Sequence, residues 1–408
     1  MACNRQTELP ANAHADAWPL DGAIAMLNHG SFGACPKAVL ERQHELRTRM
    51  ESEPVRFFVR QAPAMLDESR RALAELIGAA VEDLVFVTNA TAAVNSVLRS
   101  LKFAPGDELL VTDHDYNACR NVVRHVAERD GARVVVARVP LPIESGGQVV
   151  EAVLAGVTPK TRIAVLDHIT SPTAVVFPVE ELIRRLDERG VDTLVDGAHA
   201  AGMIPLRRIG AAYYAGNCHK WLCAPKGCGF LYVRGDHQRQ IQPPVISHGF
   251  NTPRPGHTRF QDAFDWPGTD DPTAWPCLGE AIRFLSSLED GGLGRLMERN
   301  RRLAIDARRM LCGRLGLKPV CSEQMIGSMA AMSLGEDADP SAALDPIGTT
   351  PTHRFNSELL GRFGIEAPVY HWPAPPARLL RISAQAYNSL EQYDRLAGAL
   401  EVLLAEAG

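Results

Sequence analysis

Short apolar runs, each ending in polar or small residues, alternate with stretches of helical spacing over the first two thirds of the chain, and this alternation limits the fold more than any other feature. Val85-Phe86-Val87, Leu109-Leu110-Val111, Arg133 to Val139, Arg162-Ile163-Ala164-Val165-Leu166 and Val191-Asp192-Thr193-Leu194-Val195 read as strands. Between them lie helical stretches such as Val179 to Arg189. Strands and helices alternating at this spacing predict an α/β fold with a mainly parallel sheet between helices. From about Gly292 the pattern becomes helix, strand, helix, strand, which predicts a smaller C-terminal α+β domain. A length of 408 residues agrees with one large and one small domain. The expected division is an N-terminal segment over residues 1–35, a large domain over 36–275 and a small domain over 276–408.

Open sheets of this kind bind ligands at the carboxyl ends of their strands, so the residues that follow each run carry the functional argument. The run Val191 to Val195 ends in Asp196-Gly197-Ala198-His199. A carboxylate there can pair with a pyridinium nitrogen and keep it protonated, the arrangement that makes pyridoxal phosphate an electron sink. Some twenty residues on, Asn217-Cys218-His219-Lys220-Trp221 leads through a Pro and Gly turn into the apolar run Phe230 to Val233. A lysine held in a partly apolar pocket loses its proton more readily and attacks aldehydes, whereas a solvated surface lysine is the commoner case. After Val87, Ala90 and Thr91 open a helix whose free N–H groups suit a phosphate, or simply form an ordinary N-cap with their neighbours. After Val111 come His114 and Tyr116, and after Leu166 come His168, Thr170 and Ser171. His168 reads equally well as a satisfied core histidine.

The segments "VDGAHAAG" and "CHKWLCAPKGCGFLYV" resemble the class V aminotransferase branch of fold-type I pyridoxal phosphate enzymes. "LNHGSFG" near the amino terminus and "HITSPT" after Leu166 resemble the isopenicillin N epimerase-like members of that branch. The resemblance implies that Lys220 forms the Schiff base, that Asp196 faces the pyridine nitrogen, and that His199 stands near the cofactor's phenolic oxygen. It further implies that Asn217, His219, Thr170 and Ser171 border the cofactor and that His114 stacks on its ring, with Tyr116 as a rival; Tyr116 and His114 are the two nominees for a catalytic acid on the face opposite the catalytic Lys220. Asn28, His29 and Ser31 become substrate-side candidates in an N-terminal segment that covers the substrate, and Arg56 a possible carboxylate contact. Thr269, after Phe264 to Gly268, would reach the phosphate bound by a neighbouring subunit, which implies a homodimer with active sites at the subunit interface. Arg381, an arginine between apolar neighbours in Leu379 to Ser383, would hold the α-carboxylate of an amino-acid substrate; a structural ion pair is the alternative.

Several reactions share this machinery. Removal of the Cα proton and its return on the opposite face give an epimerase or racemase, the reading favoured here; loss of a β substituent gives a C–S β-lyase, and transfer of the amine gives an aminotransferase. Cysteine desulfurases use a cysteine on a loop just ahead of the strand with the carboxylate arginine, and Pro340 to Leu380 contains none. That argues against a persulfide-forming desulfurase. Pyridoxal phosphate-binding transcription regulators carry an additional DNA-binding domain, and a net charge of -5 provides no basic footprint for nucleic acid. Residues Met1 to Leu20 lack the apolar core of a secretory signal, and no run approaches the roughly 18 apolar residues of a membrane span. A cytoplasmic enzyme is therefore expected. The nine cysteines are odd in number and irregularly spaced, so reduced thiols are expected and a metal site is not, although Cys218, Cys223 and Cys228 recur every five residues around Lys220.

Overall fold

Most of the apolar runs become neighbouring strands because they are buried on both faces; the run at Arg133–Ala137, with only Ala137 buried, forms an edge. In the computed structural model, which describes residues 14–337 and 354–407, strands β1 (Leu84–Val87), β2 (Glu108–Thr112), β3 (Arg133–Ala137), β4 (Thr161–Asp167), β5 (Asp192–Gly197), β6 (Tyr213–Asn217) and β7 (Gly229–Val233) form one sheet. Their order is β1-β7-β6-β5-β4-β2-β3. From β3 to β6 neighbouring strands run parallel, and β7 pairs antiparallel with both β6 and β1. Every residue of β1, β2, β6 and β7 is buried, which is why β1, β2 and β7 read as continuous apolar runs rather than alternating ones.

The chain leaves β2 for β3 on one side and returns to β4 on the other, so the strand order reverses between β2 and β4. That is the switch point where an open α/β sheet leaves a crevice. The register sets Asp167 of β4 beside Asp196 of β5 at its rim.

A second sheet supplies the other wall. Strands β8 (Lys318–Pro319), β9 (Met329–Glu336), β10 (Val369–His371) and β11 (Ala377–Ser383) pair antiparallel in the order β10-β11-β9-β8. The helices Gly292–Leu315 and Leu390–Ala407 accompany it, and Tyr393 from the latter donates its hydroxyl to the Ser383 carbonyl at 2.7 Å. The N-terminal segment is tied to this half: Ala25–Met26 pairs in parallel with Ile365–Glu366, and the Ser383 N–H donates to the Leu27 carbonyl. This carries Asn28 to Gly33 over the loop that bears Lys220. The interruption read at Arg56-Phe57-Phe58 is a π-helical turn, Phe57–Gln61, between the helices Pro54–Arg56 and Ala62–Ile77. The polar start of the chain with Cys3, and residues 338–353 of the cysteine-free stretch ahead of Arg381, lie outside the described residues. No helix among the described residues is long and apolar enough to cross a membrane, and the eight described cysteines are free thiols.

Candidate active site

Lys220 stands three residues past the end of β6, with its Nζ 3.2 Å from His199 Nε2. Trp221 donates its indole N–H to His199 Nδ1 at 3.3 Å. Indole nitrogen is a donor only, so Nδ1 is the accepting nitrogen and the proton of neutral His199 lies on Nε2, pointing at the lysine. Burial first, then the Lys220 charge, pushes the His199 imidazole well below its ordinary value, so the neutral form prevails. A nitrogen that accepts from Nε2–H must be a free amine. Burial and then the Arg381 guanidinium bring the Lys220 ammonium down to about 8, against a smaller opposing pull from Asp196, so the free amine that accepts this proton is the minor form at pH 7 and the major one above about 8.

Backbone contacts fix the lysine from behind. His29 Nε2 lies 2.9 Å from the Lys220 carbonyl and Nδ1 lies 2.8 Å from the Tyr387 hydroxyl, while burial lowers its pKa to about 3. A Cβ at Gly33, whose φ is 72°, would come within 2.3 Å of the His219 carbonyl. Only glycine lets the N-terminal segment lie this close to the lysine loop.

Asp196, at 4% exposure, accepts the Ala198 N–H on Oδ1 and the Cys119 thiol on Oδ2, each at 3.0 Å. Two more carboxyls are buried beside it. Asp115 takes the Thr112 N–H at 2.8 Å and its hydroxyl at 2.6 Å, and burial raises its pKa to about 7. Asp167, accepting the Tyr116 N–H, is pushed well above the carboxylate range by burial and then by Asp115.

The helix Ala90–Ser100 begins at the end of β1. Asn89 caps it by accepting the Ala92 N–H, and the Ala90 N–H donates to Asn217 Oδ1 at 2.8 Å. Of the two residues expected to meet a phosphate, Ala90 thus has its donor engaged, and the half-buried Thr91 remains.

On the facing wall Arg381, 1% exposed, donates from Nη1 to the Ser171 carbonyl at 2.6 Å and from Nη2 to Asn28 Oδ1 and Ser31 Oγ at 3.0 and 2.9 Å. Its Nε has no acceptor, and no carboxylate pairs with it among the described residues. Asn28, Ser31, Ser171 and Arg381 therefore gather in one cluster. Thr170 is turned into its own loop, bonded to Thr173 and to the Val175 N–H, and His219 bonds the Cys228 carbonyl.

His114 is wholly buried. Its Nε2 meets the Val139 carbonyl at 2.8 Å and must donate, which leaves Nδ1 to accept from Thr173 Oγ1 at 2.8 Å. Its ring lies against Phe177 and Trp372 and presents no open face; the half-buried aromatic at the same strand end is Tyr116. Arg56 is exposed and paired with Glu53 at 2.9 Å, and Thr269 is exposed in the loop after Phe264; no hydrogen bond or ion pair ties either to the cluster. Sequence reading did not single out Cys119, Trp221, Asp115 or Asp167 as site residues. The signal for Cys119 and Asp115 was their place in the run Asp113 to Cys119 at the end of β2.

These residues suit pyridoxal phosphate: a buried carboxylate for the ring nitrogen, an amine poised to lose its proton, a capped helix terminus, and an arginine with an orphaned N–H. The fold and this donor set are those of a pyridoxal phosphate-dependent enzyme of fold type I. The chain belongs to the class V aminotransferase family, whose model matches residues 33–324. It is 37% identical over 400 residues to isopenicillin N epimerase of Amycolatopsis lactamdurans, covering 94% of this chain and 96% of that protein. It is 29% identical over 415 residues to an L-cysteine desulfhydrase of Arabidopsis thaliana, covering 94% and 88% of the two. A cysteine desulfurase from Thermococcus onnurineus superposes with a TM-score of 0.77 at 20% identity, over 98% of this chain and 99% of that one.

Proposed function

We propose that this enzyme inverts the α-carbon of an amino acid, as an epimerase or racemase. Bound pyridoxal phosphate supplies an electron sink that acidifies the Cα–H of an amino acid joined to it. Lys220 would hold the cofactor, and its Nζ is the group that would take the α-proton. His199 Nε2 steers that nitrogen. Asp196 would pair with the ring nitrogen, Asn217 and His219 would border the cofactor, and Thr91 would bind its phosphate at the helix terminus, with Thr269 contributed by a second copy of the chain. Tyr116 is the aromatic residue left to lie against the ring and to return a proton on the face opposite Lys220.

The observation that carries the amino-acid reading is Arg381. A buried guanidinium held by four neutral acceptor atoms of Ser171, Asn28 and Ser31, with an unsatisfied Nε and no acidic partner among the described residues, lacks the anion its geometry fits. An α-carboxylate supplies that anion, and Asn28, Ser31 and Ser171 surround it. Likeness to an isopenicillin N epimerase over nearly the whole chain supports inversion. Likeness to an L-cysteine desulfhydrase favours a second reading, a C–S β-lyase on a cysteine derivative. Incubation in deuterated water with single-enantiomer amino acids and cysteine conjugates separates them. Deuterium at Cα with inverted configuration is expected; pyruvate and ammonia without inversion establish the lyase.

A further inference from the structure

The side-chain torsion that turns a carboxylate about its own axis is soft, so a carboxylate that must meet a ring nitrogen in one plane needs a donor on each oxygen. Asp196 has them: Ala198 N–H on Oδ1 and the Cys119 thiol on Oδ2. Among the described residues no other side chain donates to it. Cys119 lies in the first turn of the helix Asn117–Asp130, 77 positions before Asp196 in sequence, and is 1% exposed. Burial, reinforced by the Asp196 charge, keeps the thiol protonated, so it acts as a donor rather than a nucleophile.

We propose that Cys119 is a positioning residue that sets the plane of the Asp196 carboxylate toward the pyridine nitrogen. The proposal rests on the reading of Asp196 given above. A thiol is a weaker donor than a hydroxyl, so it fixes the carboxylate while withdrawing little negative charge from the oxygen that faces the ring. The same helix begins directly after Tyr116, so one turn of backbone carries both the aromatic at the strand end and the thiol beneath it.

The test compares Cys119→Ala, Cys119→Ser, Asp196→Asn and the double variant Cys119→Ala/Asp196→Asn, all supplied with pyridoxal phosphate. The readouts are the cofactor's dissociation constant, the absorbance maximum of the bound cofactor, and kcat and KM separately. Cys119→Ala is expected to weaken cofactor binding about tenfold, the size of one lost hydrogen bond to a charged group, to move the absorbance maximum, and to lower kcat with KM little changed. Cys119→Ser recovers most of this. In the double variant the Cys119 change adds nothing further, because the carboxylate it orients is gone. If the two single effects simply add, or if Cys119→Ala lowers thermal stability and leaves absorbance and cofactor affinity as they were, the thiol only fills space and the proposal is overturned. If Asp196→Asn itself leaves affinity and absorbance unchanged, the assignment of Asp196 fails and takes this one with it.

Discussion

At the scale of single residues the site runs on burial. The Lys220 ammonium, at about 8, is about one tenth free amine at pH 7, where an ordinary lysine is free to less than about one part in a thousand. Uptake of pyridoxal phosphate by the cofactor-free enzyme should therefore speed up about tenfold per pH unit below about 8 and level off above it. Arg381→Ala removes a like charge and should move that midpoint upward; stopped-flow absorbance checks both, and a midpoint above 10 in the parent would contradict the account. Asp115 carries the opposite sign. Its pKa is raised from 3.8 to about 7, so its share of the stability is fully present below about pH 4 and is lost as pH rises through about 7. Asp115→Asn, which cannot ionise, should gain stability relative to the parent between pH 4 and pH 8 in urea melts, and equal slopes in the two proteins would exclude a buried titrating carboxyl. Lys220, Asp196 and Arg381 were legible in the sequence because each stands at a strand end or inside an apolar run, where a charged group needs a reason. Cys119 was not, because its partner lies 77 positions away and a buried thiol resembles any small core residue. For His114 the sequence supplied the residue type, and only the loop fold shows that Thr173 and Val139 occupy both nitrogens.

At the scale of elements, the strands of the large sheet were legible in the sequence except β6, whose Tyr213-Tyr214-Ala215-Gly216-Asn217 carries no run of aliphatic residues although all five are buried, and β11 of the second sheet was legible as well. The π-helical turn at Phe57–Gln61 was visible only as a break in helical spacing, because its type depends on how the flanking helices are stacked. The two-residue strands β8 and Ala25–Met26 carry too few residues for any period. The helix after β1 allows a sharper test. Asn89 accepts the Ala92 N–H at 2.9 Å, and its replacement by alanine should cost about 1 kcal/mol, read as a lower Tm in calorimetry. Since Ala90 is already held by Asn217, the Asn217→Ala variant should weaken phosphate-bearing cofactor more than pyridoxal itself, as its loss lets the helix terminus shift. Equal losses for the two would mean that Asn217 supports the ring and not the terminus.

At the scale of the whole molecule, the site draws on the amino-terminal segment, the large sheet and the second sheet, which is why no single stretch of sequence encodes it. The proposal that Thr269 serves a neighbouring subunit requires a dimer. Val59, 68% exposed, lines an apolar groove with Phe58, Ala62, Leu66 and Trp266 of the Phe264 to Thr269 loop, an open surface that a second copy could cover. Sedimentation should give a dimer, and mixing inactive Lys220→Ala with inactive Thr269→Ala subunits should restore part of the activity; a fully active monomer would remove Thr269 from the site.

The claim on which everything else depends is that Lys220 binds pyridoxal phosphate. Reduction of the cofactor-loaded protein with borohydride, followed by peptide mass spectrometry, tests it most directly: the account predicts a phosphopyridoxyl group on the peptide that contains Lys220 and on no other, and an unmodified Lys220 with the label elsewhere, or no label at all, would contradict it.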